Sequence, residues 1–195
     1  MTIYRLYIPD YYSGVLAYAD GSVQRNKGTG GWGGVILYVE NGQVVHRQLR
    51  RGTITSPATS MTAEMHAVIE TLKSFHRPIS ILMRTDCQVI VNACTQWRYD
   101  WNTPRGKPEI WSKRMSCGTY KTISNAALWD QIFSLCDKHD VTWEWIKGHR
   151  DDVANVGTDA LARSGWSGKP VREVESSLDK IWPASATHRE LMTAC

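Results

Sequence analysis

The stretch "GGWGGVILYVENGQVVHRQL" occupies Gly30–Leu49. Two β-rich runs flank Asn41-Gly42, a dipeptide that readily supplies the positive φ angles of a two-residue hairpin turn. Just upstream, "GVLAYADGS" (Gly14–Ser22) is a further strand that closes on the turn signal Asp20-Gly21. Three consecutive strands therefore form an antiparallel meander. Beyond it the hydrophobic period changes. Met61, Met65, Val68, Leu72 and Phe75 recur at steps of four and three, which is a helix stripe closed by Pro78. "ISILMRTD" (Ile79–Asp86) is a nearly continuous apolar run, the pattern of a buried strand.

A second helix is expected from about Gln88 to Trp101, then a loop from Asn102 to Ser124 with at most a short helix. "NAALWDQIFSLCDKH" gives an amphipathic helix with Leu128, Ile132 and Leu135 on one side. "VTWEWIKG" alternates Val141, Trp143 and Trp145 as a strand, and a last helix runs through Asp159 to about Ser164. The order of elements predicts an α/β chain with a mixed sheet flanked by helices. Val171, Val174, Leu178 and Ile181 have helical spacing, so part of the tail is expected to pack as a short helix, with the last dozen residues frayed.

The 195 residues suit one domain, and 42% hydrophobic content is enough for a core. No apolar run reaches the length of a membrane span, and the first residues lack the pattern of a secretory signal. The five cysteines include no CxxC pair, which predicts reduced thiols and a cytoplasmic setting. A net charge of +4 permits a nucleic-acid partner without demanding one.

Three carboxylates stand near element ends: Asp20 after the first strand, Asp86 after the fourth, and Glu64 in the expected first turn of the first helix. Singly, each has an ordinary explanation in turn or capping chemistry. Together they point elsewhere. If the first and fourth strands are parallel neighbours, their carboxyl ends form a crevice where sites are built. Clustered anions without His or Cys suit Mg²⁺ or Mn²⁺, and two such ions about 4 Å apart can drive phosphodiester hydrolysis.

"YADGS", "GTGGWGGVIL", "TAEMHAVIETL", "TDCQVIVNACTQW" and "WEWIKGHRDDVANVGTDALA", in that order and spacing, resemble ribonuclease H type 1 of the bacterial kind. The likeness runs from about Gly14 to Trp166. It implies a ribonuclease H-like fold: a five-stranded mixed sheet, three antiparallel plus two parallel strands, flanked by helices. Residues 1–13 are then an N-terminal extension with no room for a hybrid-binding domain, 14–166 the catalytic domain, and 167–195 a tail. The implied activity is hydrolysis of the RNA strand of RNA–DNA hybrids with two Mg²⁺ ions, leaving 5′-phosphate and 3′-hydroxyl ends. The implied ligands are Asp20, Glu64, Asp86 and Asp159. Asp20 would bridge both ions, Asp159 would help hold the ion that activates water, and Glu64 and Asp86 the ion near the leaving oxygen. His149 resembles the family's mobile histidine, a proton shuttle or aid to product release, and Asn155 a residue that steadies its loop. Asp151 and Asp152 match no motif and are expected to solvate that loop.

Gln96–Lys121 carries Arg98, Arg105, Lys107, Lys113, Arg114 and Lys121 against Asp100 and Glu109, interleaved with aromatics. Such a mixture suits phosphate contact with base or sugar packing. It resembles the family's basic protrusion, with Trp97 and Trp101 at the aromatics of the DNA channel. Thr59 and Asn125 match positions that hold a DNA phosphate, and Asn26 and Gln88 match minor-groove contacts. Ser60 and Met61 stand where an amide pair is usual, and Pro57 where a basic residue is; these departures are expected to loosen the grip on the hybrid. A resolvase- or transposase-like nuclease of the same fold would share Asp20 and Asp86 without needing "KGH" or the Trp97 region. A non-catalytic hybrid-binding module would not need all four carboxylates. The resemblance further implies a monomer with no membrane association.

Overall fold

The computed structural model describes residues 6, 8–24, 27–55, 57–101, 111–148 and 152–167. The meander forms as read: β1 (Gly14–Gln24), β2 (Thr29–Glu40) and β3 (Gln43–Ile54) are antiparallel. Asn41 and Gly42 both take positive φ, 48° and 73°, as a tight hairpin requires. Helix α1 (Ser60–Lys73) crosses to β4 (Ser80–Thr85), which pairs parallel with β1. Strand β7 (Asp140–Trp145) pairs parallel with β4, so the sheet order is β3-β2-β1-β4-β7. Three antiparallel and two parallel strands make the expected mixed sheet.

Both faces of β1 are buried. Val15, Ala17 and Ala19 face a core built with Met65, Val68 and Leu72 of α1 and with α4 (Ala126–Lys138). Leu16 and Tyr18 face the opposite core, closed by α5 (Val153–Ser167) with Ala154 and Leu161. Helix α5 lies directly on the glycines of β2: a Cβ on Gly33 would stand 2.3 Å from the Thr158 carbonyl oxygen. Gly31 and Gly33 are therefore the bed on which α5 rests, while Gly34 opens the other face of β2 to Thr71 of α1.

Three expectations are corrected and two are refined. Strand β1 does not close at Asp20-Gly21 but runs on to Gln24, because β2 pairs with it along its whole length, so Asp20 lies inside the strand. The helix read after β4 runs from Gln88 to Asp100 with an irregular middle: α2 (Gln88–Asn92) passes into a π-helical turn (Ala93–Trp97) and a short α3 (Arg98–Asp100). The segment read as loop contains a small hairpin, β5 (Ser112–Arg114) with β6 (Tyr120–Thr122). Its strands have three residues each, too short for a readable alternation. On α4 Ile132 is buried as read and Leu128 and Leu135 pack, partly buried, against the same core, but Trp129 and Phe133 are buried with it. The aromatic residues set the rotation, because they fill the space beside Trp101. Finally, α1 ends at Lys73, capped at Ser74, before Pro78 is reached. No helix among the described residues is long and apolar enough to cross a membrane. The tail after Ser167 lies outside the described residues.

Candidate active site

The parallel pairing of β1 with β4 ends at Tyr18 and Arg84, and just beyond it Asp20, inside β1, and Asp86, after β4, come together. Glu64 reaches the same point from α1. It is the fifth residue of that helix, in the second turn rather than the first, because the helix begins at Ser60 with Thr59 as its cap. One carboxylate oxygen from each of Asp20, Glu64 and Asp86 lies within 4.8 Å of the others. Gly21 makes this approach possible: a Cβ there would stand 2.1 Å from the Ala63 carbonyl carbon. The same contact lets the Gly21 N–H donate to Glu64 Oε2 at 3.1 Å. The Trp145 indole N–H donates to the Asp86 carbonyl at 3.0 Å and ties β7 to the site.

These carboxyls crowd in a poorly solvated place. Burial pushes Asp20 up to about 7, reinforced by Asp86 and then Asp159. Burial also raises Glu64, followed by the charges of Asp20 and Asp86. Asp86 is raised by burial first, with Asp159 adding to it. Among the described residues no Lys or Arg forms an ion pair with Asp20, Glu64 or Asp86. An all-oxygen set of like charges without a protein cation fits a hard divalent ion.

Asp159 stands apart from the three. It is the seventh residue of α5, not at its start, and it lines the same cavity of about 300 Å³ with Gly148, Asn155 and Val156. Its carboxylate is paired with Arg163 at 2.8 Å. The start of the helix belongs to Asp152, which corrects the expectation that this residue merely solvates a loop. Asp152 is buried, and its Oδ1 accepts from the backbone N–H groups of Ala154 at 2.9 Å and Asn155 at 3.2 Å. It is an N-cap, identifiable in sequence once the helix start is set at Val153. His149 and Asp151 lie outside the described residues.

A second cavity, about 330 Å³, is lined by Met61, Trp97, Trp101, Lys113, Lys121 and Asn125 among others. It gathers several residues expected to touch nucleic acid. The π-helical turn delivers Trp97, whose ring lies 6.2 Å from that of Trp101, and Trp101 meets Trp129 edge-on at 5.5 Å. Asn125 takes a left-handed φ of 61° just before α4. Arg98 is engaged elsewhere: it pairs with Asp137 at 2.6 Å and lies over the Phe133 ring. Arg114 is exposed on β5. Thr59 is exposed and accepts from the Thr62 N–H as the cap of α1. Gln88 opens α2 and donates to Asn92. Ser60 is the first residue of α1. Asn26, Arg105 and Lys107 lie outside the described residues.

The sequence model of the RNase H family matches residues 13–167. The Ribonuclease H of Ruegeria sp. (strain TM1040) is 33% identical over 159 residues, covering 81% of this chain and 92% of that one. Among solved structures, LC9-RNase H1, a type 1 RNase H with the type 2 active-site motif, superposes with a TM-score of 0.61 at 23% identity, over 83% of this chain and 76% of that one. LC11-RNase H1, solved with an RNA/DNA hybrid, gives 0.52 at 19% identity, over 79% and 97%. The chain belongs to the ribonuclease H family and is a ribonuclease H of the bacterial type.

Proposed function

We propose that this enzyme hydrolyses the RNA strand of RNA–DNA hybrids with two divalent ions, leaving 5′-phosphate and 3′-hydroxyl ends. The observation that carries this reading is the trio Asp20, Glu64 and Asp86 within 4.8 Å, in a chain of this family. These three and Asp159 would hold Mg²⁺ or Mn²⁺, with the scissile phosphate completing the shell. Bound ions of this kind activate a water for in-line attack and neutralise the charge that builds on the phosphorus.

The chain's own residues do the rest. Glu64 is oriented by the Gly21 N–H, and Asp86 is braced through its carbonyl by Trp145. His149, on the stretch after Gly148, serves as the proton partner, since an imidazole titrates near neutrality. Trp97, Trp101, Lys113, Lys121 and Asn125 line one cavity and hold the DNA strand by ring packing and phosphate contact. Thr59, Arg105, Lys107 and Arg114 extend that contact, while Arg98 is held by Asp137 over the Phe133 ring, and Asn26 and Gln88 read the minor groove, where 2′-hydroxyls mark the RNA strand. Residues 14–166 form the catalytic domain between an N-terminal extension and a tail. The enzyme works as a monomer in the cytoplasm, in keeping with the free thiols of its four described cysteines.

The test presents labelled RNA–DNA hybrid, double-stranded DNA and double-stranded RNA, each with Mg²⁺, Mn²⁺ or EDTA. Metal-dependent cleavage of RNA only within the hybrid is expected. Cleavage of DNA strands, or RNA cleavage that survives EDTA, defeats the proposal.

A further inference from the structure

Directly behind the cavity carboxylates lies a second polar row. Tyr18 stands two residues before Asp20 on β1, Arg84 two before Asp86 on β4, and Asp152 seven before Asp159 at the head of α5. Two residues along a strand, or seven along a helix, return to the same face. The row therefore repeats the order of the site one layer deeper. Tyr18 and Arg84 are register partners across β1 and β4, and Arg84 and Glu144 across β4 and β7.

The row is continuously hydrogen-bonded. Arg84 Nε donates to Glu144 Oε2 at 2.8 Å, and Arg84 Nη1 donates to the Tyr18 hydroxyl at 2.8 Å. The Tyr18 hydroxyl donates to Asp152 Oδ2 at 3.3 Å. The other oxygen of Asp152 holds the first backbone N–H groups of α5, and its carbonyl accepts from the Val156 N–H at 2.9 Å. Tyr18, Arg84 and Asp152 are 0%, 6% and 2% exposed. A buried guanidinium and carboxylate are costly to desolvate, and apolar residues of equal volume often give equal or better stability. Packing alone does not call for this row. What it does is join the two strands that carry Asp20 and Asp86 to the helix that carries Asp159, through directional bonds.

We propose that Arg84, Tyr18 and Asp152 are positioning residues that set the head of α5 against the β1–β4 edge, and so aim Asn155, Val156 and Asp159 into the carboxylate cavity. The proposal rests on the hydrolase reading given above for its kinetic consequence, but not for its structural one. Tyr18→Phe removes one hydroxyl and leaves the apolar volume.

In the full chain, Tyr18→Phe is expected to lower kcat on the hybrid about tenfold, with KM changed less than twofold, at a temperature where the variant is fully folded. It should also speed amide hydrogen exchange at Ala154–Val156, and weaken Mn²⁺ binding to the protein alone. Asp152→Asn keeps an oxygen for the two N–H groups but offers the Tyr18 hydroxyl an amide N–H in place of an acceptor, so its kcat should fall with that of Tyr18→Phe, and that of Asp152→Ala further. A Tyr18→Phe protein with parental kcat and parental exchange at α5 overturns the proposal. So does a lowered melting temperature with kcat intact, which marks a purely structural role. If the parent chain cleaves no hybrid, the hydrolase reading fails separately; unchanged exchange and Mn²⁺ binding would still overturn this one.

Discussion

Asp159 and Arg163, one turn apart on α5, form an ion pair of 2.8 Å at the wall of the cavity that Asp20, Glu64 and Asp86 line. A divalent ion held by Asp159 competes with this guanidinium for the carboxylate charge. The pair is substantially solvent-exposed, and pairs of that kind contribute roughly 0.5–1 kcal/mol. Arg163→Gln should therefore lower the Mg²⁺ concentration for half-maximal activity by about two- to fivefold. A metal titration of activity reads this directly, and an unchanged or increased requirement would show that Asp159 is not held back by Arg163.

Asp20→Asn should abolish turnover while hybrid binding persists, since it removes one of the three carboxylates of the oxygen cluster. The same variant should be more stable than the parent when metal is absent. Relief of one crowded charge is expected to stabilise by on the order of 2 kcal/mol at pH 8, and the gain should fade toward pH 5. Thermal melts in EDTA at the two pH values check the stability arm, and single-turnover cleavage checks the other. Near-parental cleavage by Asp20→Asn would refute the ligand assignment.

Metal-free protein should lose stability as pH rises. The folded carboxyls of Asp20 and Glu64 are raised above their unfolded values, Asp20 to about 7. A group with a raised folded pKa favours the folded state fully below its unfolded pKa of about 4, and that contribution is lost as pH climbs through the folded value. Divalent metal reverses the trend by displacing those protons. Calorimetry of Mg²⁺ binding at pH 6.5 in buffers of different ionisation enthalpy should detect proton release, and less of it at pH 8.5. Binding without proton release would show that the carboxyls are already ionised.

Gly21→Ala should be strongly destabilising, because its Cβ would fall 2.1 Å from the backbone of α1. A cost of about 3 kcal/mol is expected from such overlap. The contact also aims Glu64, so activity should fall further than the folded fraction. Denaturant melts beside kcat per folded molecule separate the two effects.

Lys113 and Lys121 face each other across β5 and β6 and line the aromatic cavity. Replacing both with alanine should reduce the slope of log affinity against log salt by about 1–2, since each phosphate contact contributes roughly 0.9 for duplex DNA. An unchanged slope would remove this hairpin from the nucleic-acid interface.

Much of this fold was legible in the chain. Asn41-Gly42 has one economical reading, and the steps from Met61 to Leu72 have another, because turn chemistry and helical period are local properties. Asp86 could be placed after its strand for the same reason, whereas the turn signal at Asp20-Gly21 misled, since β1 runs through it to Gln24. What the local pattern left open was rotation and company. The spacing of Leu128, Ile132 and Leu135 is a valid helix stripe and all three pack against the core, yet α4 also buries Trp129 and Phe133, because the Trp101 and Trp111 rings across the gap meet that side. The π-helical turn at Ala93–Trp97 is likewise invisible to a 3.6 period.

Asp152 marks the boundary most clearly. In the sequence it is one of two adjacent aspartates in a polar stretch, told from Asp151 only once the start of α5 is known. In the fold it is buried between Tyr18 and the first turn of α5, 134 residues from its hydrogen-bond partner in the chain. The sequence by itself determined which main elements form and which carboxylates are candidates for the site, since those depend on neighbours a few residues away. Only the tertiary structure decided that three carboxylates share one oxygen cluster, that Asp159 is paired with Arg163, and that a buried row lies behind them. Those facts depend on strand register and on how closely helices can approach glycine, and both are settled by packing between segments distant in the chain.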